Sequence, residues 1–238
     1  MAELANHVAM LEIRNLKKSF AGNPALRNIS LSAKRGEVVA LVGRNGAGKS
    51  TLMRTIAGCL NPDDGEIQRS EQCTIGYLPE GAPLYKELSP RACLKFALSA
   101  HGIHGKAQRL RITEILQSLD LEDTADLVLG TLSKGYQRRA ALGMALAPDP
   151  HILILDEPFD GFDPIQKHTA VQLLKRLSVN KLILISTHTL SDAKSLCTRL
   201  VVIDHGLIRA DAAPKDILKQ TKSANLDSAF RKLVGNTP

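Results

Sequence analysis

Val38-Val39-Ala40-Leu41-Val42-Gly43-Arg44-Asn45-Gly46-Ala47-Gly48-Lys49-Ser50-Thr51-Leu52-Met53-Arg54-Thr55-Ile56-Ala57 is the stretch that decides the fold. Five apolar residues make a strand, a glycine-rich turn follows, and the residues from Leu52 onward continue as a helix. The spacing G-x-x-x-x-G-K-S/T suits a phosphate cradle: glycines let the backbone wrap an anion, with amide N–H groups directed inward at a helix N-terminus. In that reading Lys49 reaches the β- and γ-phosphates and the Ser50 hydroxyl holds Mg²⁺. A glycine-rich turn before an ordinary helix uses the same residues, but the strand before and the helix after are the context that phosphate binding requires.

Strand signals recur downstream as His151-Ile152-Leu153-Ile154-Leu155-Asp156, Lys181-Leu182-Ile183-Leu184-Ile185-Ser186 and Arg199-Leu200-Val201-Val202-Ile203-Asp204. Near-continuous apolar strands separated by helical segments imply a parallel sheet covered by helices on both faces. One intervening helix is expected from Pro164 to Leu177, with Pro164 in its first turn. At the C-terminal edge of such a sheet, Asp156 and Glu157 point into the crevice where nucleotides bind. Asp156 is placed to hold Mg²⁺ and Glu157 to polarise an attacking water, although two carboxylates after a strand also serve as plain loop solvation. His188, after Ile185-Ser186-Thr187, can donate to a γ-phosphate oxygen or simply pack at the sheet edge.

Toward the N-terminus, Leu11-Glu12-Ile13-Arg14 alternates as a half-exposed antiparallel strand. After the turn Ala21-Gly22-Asn23-Pro24, a second strand from Leu26 to Ser32 places Leu26, Asn28, Ser30 and Ser32 on one face and Arg27, Ile29 and Leu31 on the other. Glu66-Ile67-Gln68 and Thr74 to Leu78 read as two further short strands. From about Ser89 to Ala147 the apolar spacing is helical, as in Ile112, Ile115, Leu116 and Leu119, with no strand-like run. Within it, Leu132-Ser133-Lys134-Gly135-Tyr136 introduces a helix over Ala140 to Leu146. Ser133 suits an N-cap, and a serine and a glycine at a helix N-terminus also make a second anion site. Gly206 to Arg209 reads as a hairpin partner of the last strand, and short helices are expected over Pro214 to Gln220 and Leu226 to Leu233.

The fold class is therefore α/β: a phosphate-loop NTPase core with a mostly parallel sheet, an antiparallel β-subdomain and an inserted helical subdomain. One domain covers residues 1–238, with 1–79 and 151–238 as the core and about 80–150 as the helical part. Hydrophobic content of 44% and charged content of 23% are those of an ordinary globular protein. No stretch approaches the roughly 20 apolar residues that a membrane helix needs. Met1 to Met10 carries Glu3 and no basic cluster ahead of an apolar core, so it does not read as a signal peptide, and a cytoplasmic location is expected. Cys59, Cys73, Cys93 and Cys197 form no C-x-x-C pair, which argues against zinc or a disulfide framework. The net charge of +7 is spread along the chain, and with 3% aromatic content and no Trp no nucleic acid partner is expected.

Over essentially its whole length the sequence resembles the nucleotide-binding domains of ABC transporters. Gly43 to Thr51 is similar to their Walker A motif, Ile152 to Glu157 to Walker B, Leu132 to Tyr136 to the signature motif, and His188 to the switch histidine. Asp163, in Phe159-Asp160-Gly161-Phe162-Asp163-Pro164, matches the D-loop aspartate. Phe20 falls where the family stacks an aromatic on adenine, and Glu80 falls at the Q-loop glutamine. The resemblance implies that ATP and Mg²⁺ are the cofactors, with Glu157, His188 and Lys49 catalytic, and Ser50, Asp156 and Glu80 near the metal. Gly43, Arg44, Asn45, Gly46, Ala47, Gly48, Lys49, Ser50 and Thr51 then cradle the phosphates. It further implies that two such domains pair head to tail, so that Ser133 and Gly135 of one close over ATP held by Lys49 of the other. Three departures stand out: Glu80 replaces glutamine and adds negative charge, Lys134 and Tyr136 alter L-S-G-G-Q, and Phe162 replaces the usual D-loop leucine.

Ile75 to Glu80, Pro83-Leu84-Tyr85 and the tail Leu226 to Phe230 resemble the ATPases of type-2 exporters, of the gliding-motility, sodium-export and drug-resistance type. The resemblance implies a separate membrane permease subunit docked near Glu80 to Leu88, a homodimer as the simpler assembly, and a place on the cytoplasmic face of the cell membrane. Soluble ABC ATPases of translation or DNA repair are the alternative, although the segment between Lys49 and Asp156 has room only for the helical subdomain. A regulatory ATP-binding subunit without turnover is a third reading, against which Glu157 and His188 stand.

Overall fold

The computed structural model describes residues 9–235, so the N-terminal stretch before Ala9 lies outside the described residues. Strands β1 (Ala9–Phe20) and β2 (Asn23–Lys34) form a long hairpin. Its turn is shorter than the sequence suggests: only Ala21 and Gly22 are in it, at φ 47° and 81°. Two positive φ values at the central positions suit the right-handed twist of the flanking strands. β4 (Asp64–Arg69) pairs with the other edge of β1, closing a three-stranded antiparallel sheet in the order β2-β1-β4.

The second sheet has six strands: β3 (Val38–Val42), β5 (Ile75–Leu78), β6 (Ile152–Asp156), β7 (Leu182–Thr187), β8 (Arg199–Asp204) and β9 (Leu207–Ala212). They run in the order β5-β6-β7-β3-β8-β9, all neighbours parallel except the terminal β8–β9 hairpin. Every residue of β3, β6 and β7 is buried, which is why these strands read as unbroken apolar runs.

The described residues hold eight α-helices: α1 (Lys49–Ile56), α2 (Pro90–Ala100), α3 (Gly105–Ser118), α4 (Lys134–Leu146), α5 (Pro164–Ser178), α6 (Leu190–Leu196), α7 (Pro214–Thr221) and α8 (Leu226–Val234). Their starts follow capping chemistry. Ser89 accepts from Ala92 N–H ahead of Pro90, Asp163 accepts from the Ile165 and Gln166 amides, and Asn225 accepts from Ser228 N–H. Ser133 caps α4 through Tyr136 N–H, so that helix begins at Lys134 rather than at Ala140.

Alternate side chains of the central strands feed two cores. Val38, Ala40 and Val42 join Leu153, Leu155, Ile183 and Ile185 in a cluster that takes in residues of every helix from α2 to α8. Val39 and Leu41 join Ile152, Ile154, Leu182 and Leu184 with Leu52, Met53 and Ile56 of α1 and with Leu11, Ile13, Leu16, Leu26, Ile29 and Leu31 of the hairpin. Helices lie on both faces as expected, but unequally: one face carries α2 to α8, and the other carries α1 together with the antiparallel sheet. The reason is the leucine and isoleucine stripe of β1 and β2, which is worth about 1.5–3 kcal/mol per buried side chain and has to be covered. Leu26 belongs to that stripe and not to the opposite face. Asn28 sits at φ 77° beside a register shift in the β1–β2 ladder, and the extra residue turns Leu26 inward with Ile29 and Leu31.

The helical insertion is welded to the sheet through α4. An atom added to Gly76 of β5 would meet the Ala145 carbonyl at 2.1 Å, so backbone lies directly on backbone there. Gly143 likewise admits Ile115, Leu119 and Leu94 of its neighbours to within van der Waals contact. These two contacts set α4 against β5 on one side and against α2 and α3 on the other.

Candidate functional site

In the order β6-β7-β3 the paired ends Asp156↔Ser186 and Val42↔Thr187 lie side by side. The strands are parallel, so the loops after β3, β6 and β7 leave the sheet at one edge. That edge gathers the phosphate loop, Glu157 and His188 from three distant stretches of sequence.

The loop at 43–48 is held by its own backbone and by its surroundings. Ala47 N–H donates to the Arg44 carbonyl at 3.1 Å, and Gly206 N–H donates to the Ala47 carbonyl at 3.0 Å. Lys49 is buried and donates through Nζ to the carbonyls of Gly43, at 2.8 Å, and Arg44, at 3.2 Å. Burial pushes its ammonium below the usual lysine range, against the pull of Glu157, Asp156 and Glu80. A cleft of about 350 Å³ opens over the loop, lined by Ala25, Asn45, Gly46, Gly48, Lys49, Ser50, Thr51, Glu80 and Glu157. One buried ammonium, backbone amides at the start of α1 and converging carboxylates suit an anion held together with a hard divalent cation. Among the described residues no cluster of three or more His, Cys, Asp or Glu side chains could hold a metal alone. Such a set fits Mg²⁺, which takes one or two protein oxygens and completes its shell from phosphate and water.

Asp156 lies beneath the cleft, 1% exposed, and accepts a short hydrogen bond from Ser186 Oγ. The same hydroxyl accepts from Glu157 N–H at 3.0 Å, so Ser186 orients both carboxylate residues at once. Glu157 sits at φ 50°, and its Oε2 is 3.0 Å from His188 Nδ1. Beyond it lies a second cavity of about 150 Å³, which includes Glu157, Phe159, Lys167, His188 and Asp192 in its lining. Glu157 is therefore the wall between the two spaces. Lys167 makes a short ion pair with the buried Asp192 and lies 5.9 Å from the Phe159 ring, tying α5 to α6.

Not every expected residue meets here. Phe20 is 45% exposed at the end of β1, with Lys18 Nζ 5.8 Å from its ring, and it is not part of the cleft lining. Gly43, Arg44 and Ala47 shape the loop without lining the cleft, and Arg44 donates to the Gly235 carbonyl at 3.3 Å. Ser133, Gly135 and Asp163 also lie outside the cleft lining. Gly135 lies instead against the start of α5, which Asp163 caps: a Cβ on Gly135 would stand 2.5 Å from Gln166 Oε1 and 3.4 Å from the Gly161 carbonyl. Of the departures, Tyr136 turns its ring under Arg139, 4.2 Å from guanidinium to centroid, and Phe162 leans on Phe159 at 6.5 Å.

Two residues beside the site escaped the sequence reading. Ser186 was visible only as the polar end of a strand. Arg138 was visible as one of two arginines in a helix otherwise turned to the core; it is buried, and its Nη2 donates to the Asp156 carbonyl at 2.6 Å and, at shorter range, to that of Glu157.

The sequence model of the family described as "ABC transporter" matches residues 26–160. The uncharacterized ABC transporter ATP-binding protein YxlF of Bacillus subtilis (strain 168) is 33% identical over 222 residues, which span 91% of this chain and 75% of that protein. Nod factor export ATP-binding protein I of Burkholderia orbicola (strain AU 1054) is 34% identical over 223 residues, 89% of this chain and 73% of its own length. Among solved structures, an ATP-binding subunit of an ABC transporter superposes with a TM-score of 0.86 at 30% identity, covering 94% of this chain and 99% of that one. A dimeric ATP-binding cassette in a post-hydrolysis state bound to ADP and Pi gives a TM-score of 0.79 at 26% identity, covering 86% and 98%.

Proposed function

The chain belongs to the ABC transporter family, as an ATP-binding subunit that hydrolyses ATP, and from that premise we propose that two copies close head to tail over two ATP molecules and drive export through a separate membrane subunit. The observation that carries the pairing is the split of the site: Lys49 and Glu157 share one cleft, while Ser133 and Gly135 stand outside it at the capped start of α4. A second chain presented in antiparallel fashion supplies what the first lacks. That a cassette of this fold has been solved as a dimer supports pairing of two copies.

In this reading the amides of 46–51 and Lys49 Nζ bind the phosphates, with Lys49 exchanging the loop carbonyls for phosphate oxygens. Ser50, Asp156 and Glu80 would hold Mg²⁺, which would supply positive charge to the phosphates. Glu157 orients and polarises the attacking water, and His188, already 3.0 Å from its carboxylate, holds it and reaches toward the γ-phosphate. Phe20 stacks on the adenine, and Asp163 holds the start of α5 at the interface with the partner copy. The helices between residues 80 and 150 move as the pair closes and pass that motion to a permease at the cytoplasmic face of the membrane. The export direction is supported by Nod factor export proteins among the relatives.

The test is Glu157→Gln. Steady-state ATPase activity should fall at least ~100-fold, while gel filtration at saturating ATP should show a stable dimer. A variant that stays monomeric while binding ATP would remove the head-to-tail reading.

A further inference from the structure

Arg138 occupies the fifth position of α4, on the same helix whose N-terminal turn carries Ser133 and Gly135. It is 5% exposed, and its Nε is buried with no hydrogen-bond partner. Its Nη2 is forked between two carbonyls, those of Asp156 and Glu157, the last residue of β6 and the first beyond it. Burying a guanidinium with one donor unmet is costly, so a purely space-filling role is better served by an apolar side chain of similar volume.

The two carbonyls belong to the backbone that aims the Glu157 carboxylate. Glu157 is in the left-handed region at φ 50°, a conformation that costs a β-carbon-bearing residue about 1 kcal/mol or more and persists only where the surroundings hold it. Ser186 Oγ holds the amide side of this residue at 3.0 Å, and Arg138 holds the carbonyl side. On its other flank Arg138 lines a groove of about 450 Å³ together with Gly81, Pro83, Leu84, Lys86 and Asp160. One side chain thus touches the groove, the signature helix and the backbone of Glu157.

We propose that Arg138 is a positioning residue for ATP hydrolysis: it fixes the backbone of Glu157 so that the carboxylate faces the cleft, and it makes the orientation of α4 felt at that carboxylate. An α-helix is stiff over five residues, about 7.5 Å, so a contact made at Ser133 or Gly135 is transmitted to Arg138 with little loss. The inference rests on the reading of Glu157 as the residue that polarises water.

A double-mutant cycle tests it, with Arg138→Gln, Arg138→Lys, Glu157→Gln and the combinations, reading kcat and KM for ATP, ATP affinity by direct titration, and Tm. Arg138→Gln should lower kcat 10- to 100-fold with ATP affinity within twofold of the parent, and Arg138→Lys, which keeps a cation able to reach one carbonyl, should recover part of the loss. In the Glu157→Gln background either Arg138 substitution should change the residual rate less than twofold, because the group it positions is already gone. An undiminished kcat, or a loss that adds in full on Glu157→Gln, overturns the positioning role and leaves Glu157 in place. Glu157→Gln with parental turnover overturns the reading of Glu157 and the inference with it. If Arg138→Gln does not fold, Arg138→Lys carries the cycle.

Discussion

Alanine substitution at three glycines of the phosphate loop separates two kinds of constraint that the motif combines. Gly46 has φ 79° and nothing near the position of an added Cβ, so its cost is conformational alone, about 1–2 kcal/mol. Gly43 has no such backbone constraint, but a Cβ there would lie 2.3 Å from the Ile203 carbonyl, roughly 1 Å inside contact distance; overpacking of this kind costs about 1–3 kcal/mol. Gly48 carries both penalties: φ is 107°, and the added carbon would stand 2.5 Å from the Ala25 carbonyl and 3.1 Å from Leu26 Cδ2. Summing gives about 2–5 kcal/mol for Gly48→Ala, and at ~2–4 °C per kcal/mol for a chain of this size the Tm should fall by roughly 4–20 °C. Gly46→Ala should cost ~2–8 °C on the same scale. The assay is thermal and urea unfolding of all three variants without nucleotide, followed by ATP titration of those that fold. Gly48→Ala proving no more destabilising than Gly46→Ala would refute the argument, since the clash with β2 would then be absent in solution.

Two further outcomes follow from the same site and its surroundings. Lys49→Ala should abolish measurable ATP binding in titration calorimetry, because the loop loses its only buried cation; undiminished affinity would remove the phosphate-loop assignment. Burial raises the Cys197 thiol to about 11, above the ordinary value of about 8.5. A raised thiol stabilises the folded chain fully below the unfolded value, and that contribution is lost as pH rises toward 11, because only the unfolded chain ionises in between. The stability difference between the parent and Cys197→Ala, measured by urea unfolding, should therefore shrink by about 2–3 kcal/mol between pH 8 and pH 11. A gap that does not change with pH would contradict the burial of this thiol.

Most of the central sheet was legible in the sequence because its strands are buried on both sides, and a continuous apolar run such as Ile152 to Leu155 has few other readings. The phosphate loop was legible for a related reason: its glycines, its lysine and its flanking elements are contiguous. What lay hidden depends on contacts across the chain. The face of Leu26 could not be read from alternation, because one left-handed residue, Asn28, shifts the phase of β2 and no local rule demands a bulge there. An antiparallel β-subdomain was legible from β1 and β2, but its place over α1 was not, since their buried stripe would serve any apolar partner.

The site divides along the same line. Ser133 reads the same whether it caps α4 for its own chain or also meets a phosphate on another, and the structure shows the cap while placing it away from Lys49. Arg138 escaped because it works on backbone, through the Asp156 and Glu157 carbonyls, and Ser186 because half of its work is on the Glu157 amide, beside the Asp156 carboxylate. A backbone partner leaves no residue type in the sequence to be matched. Two adjacent arginines in a helix otherwise turned to the core were nonetheless a usable signal: a buried guanidinium must find acceptors. On α4 the supply is fixed by the fold, with Arg139 taking the carbonyls at the end of α3 and Arg138 those at the end of β6. The pair therefore marks α4 as the element that joins the helical insertion to the end of β6, where Asp156 and Glu157 stand.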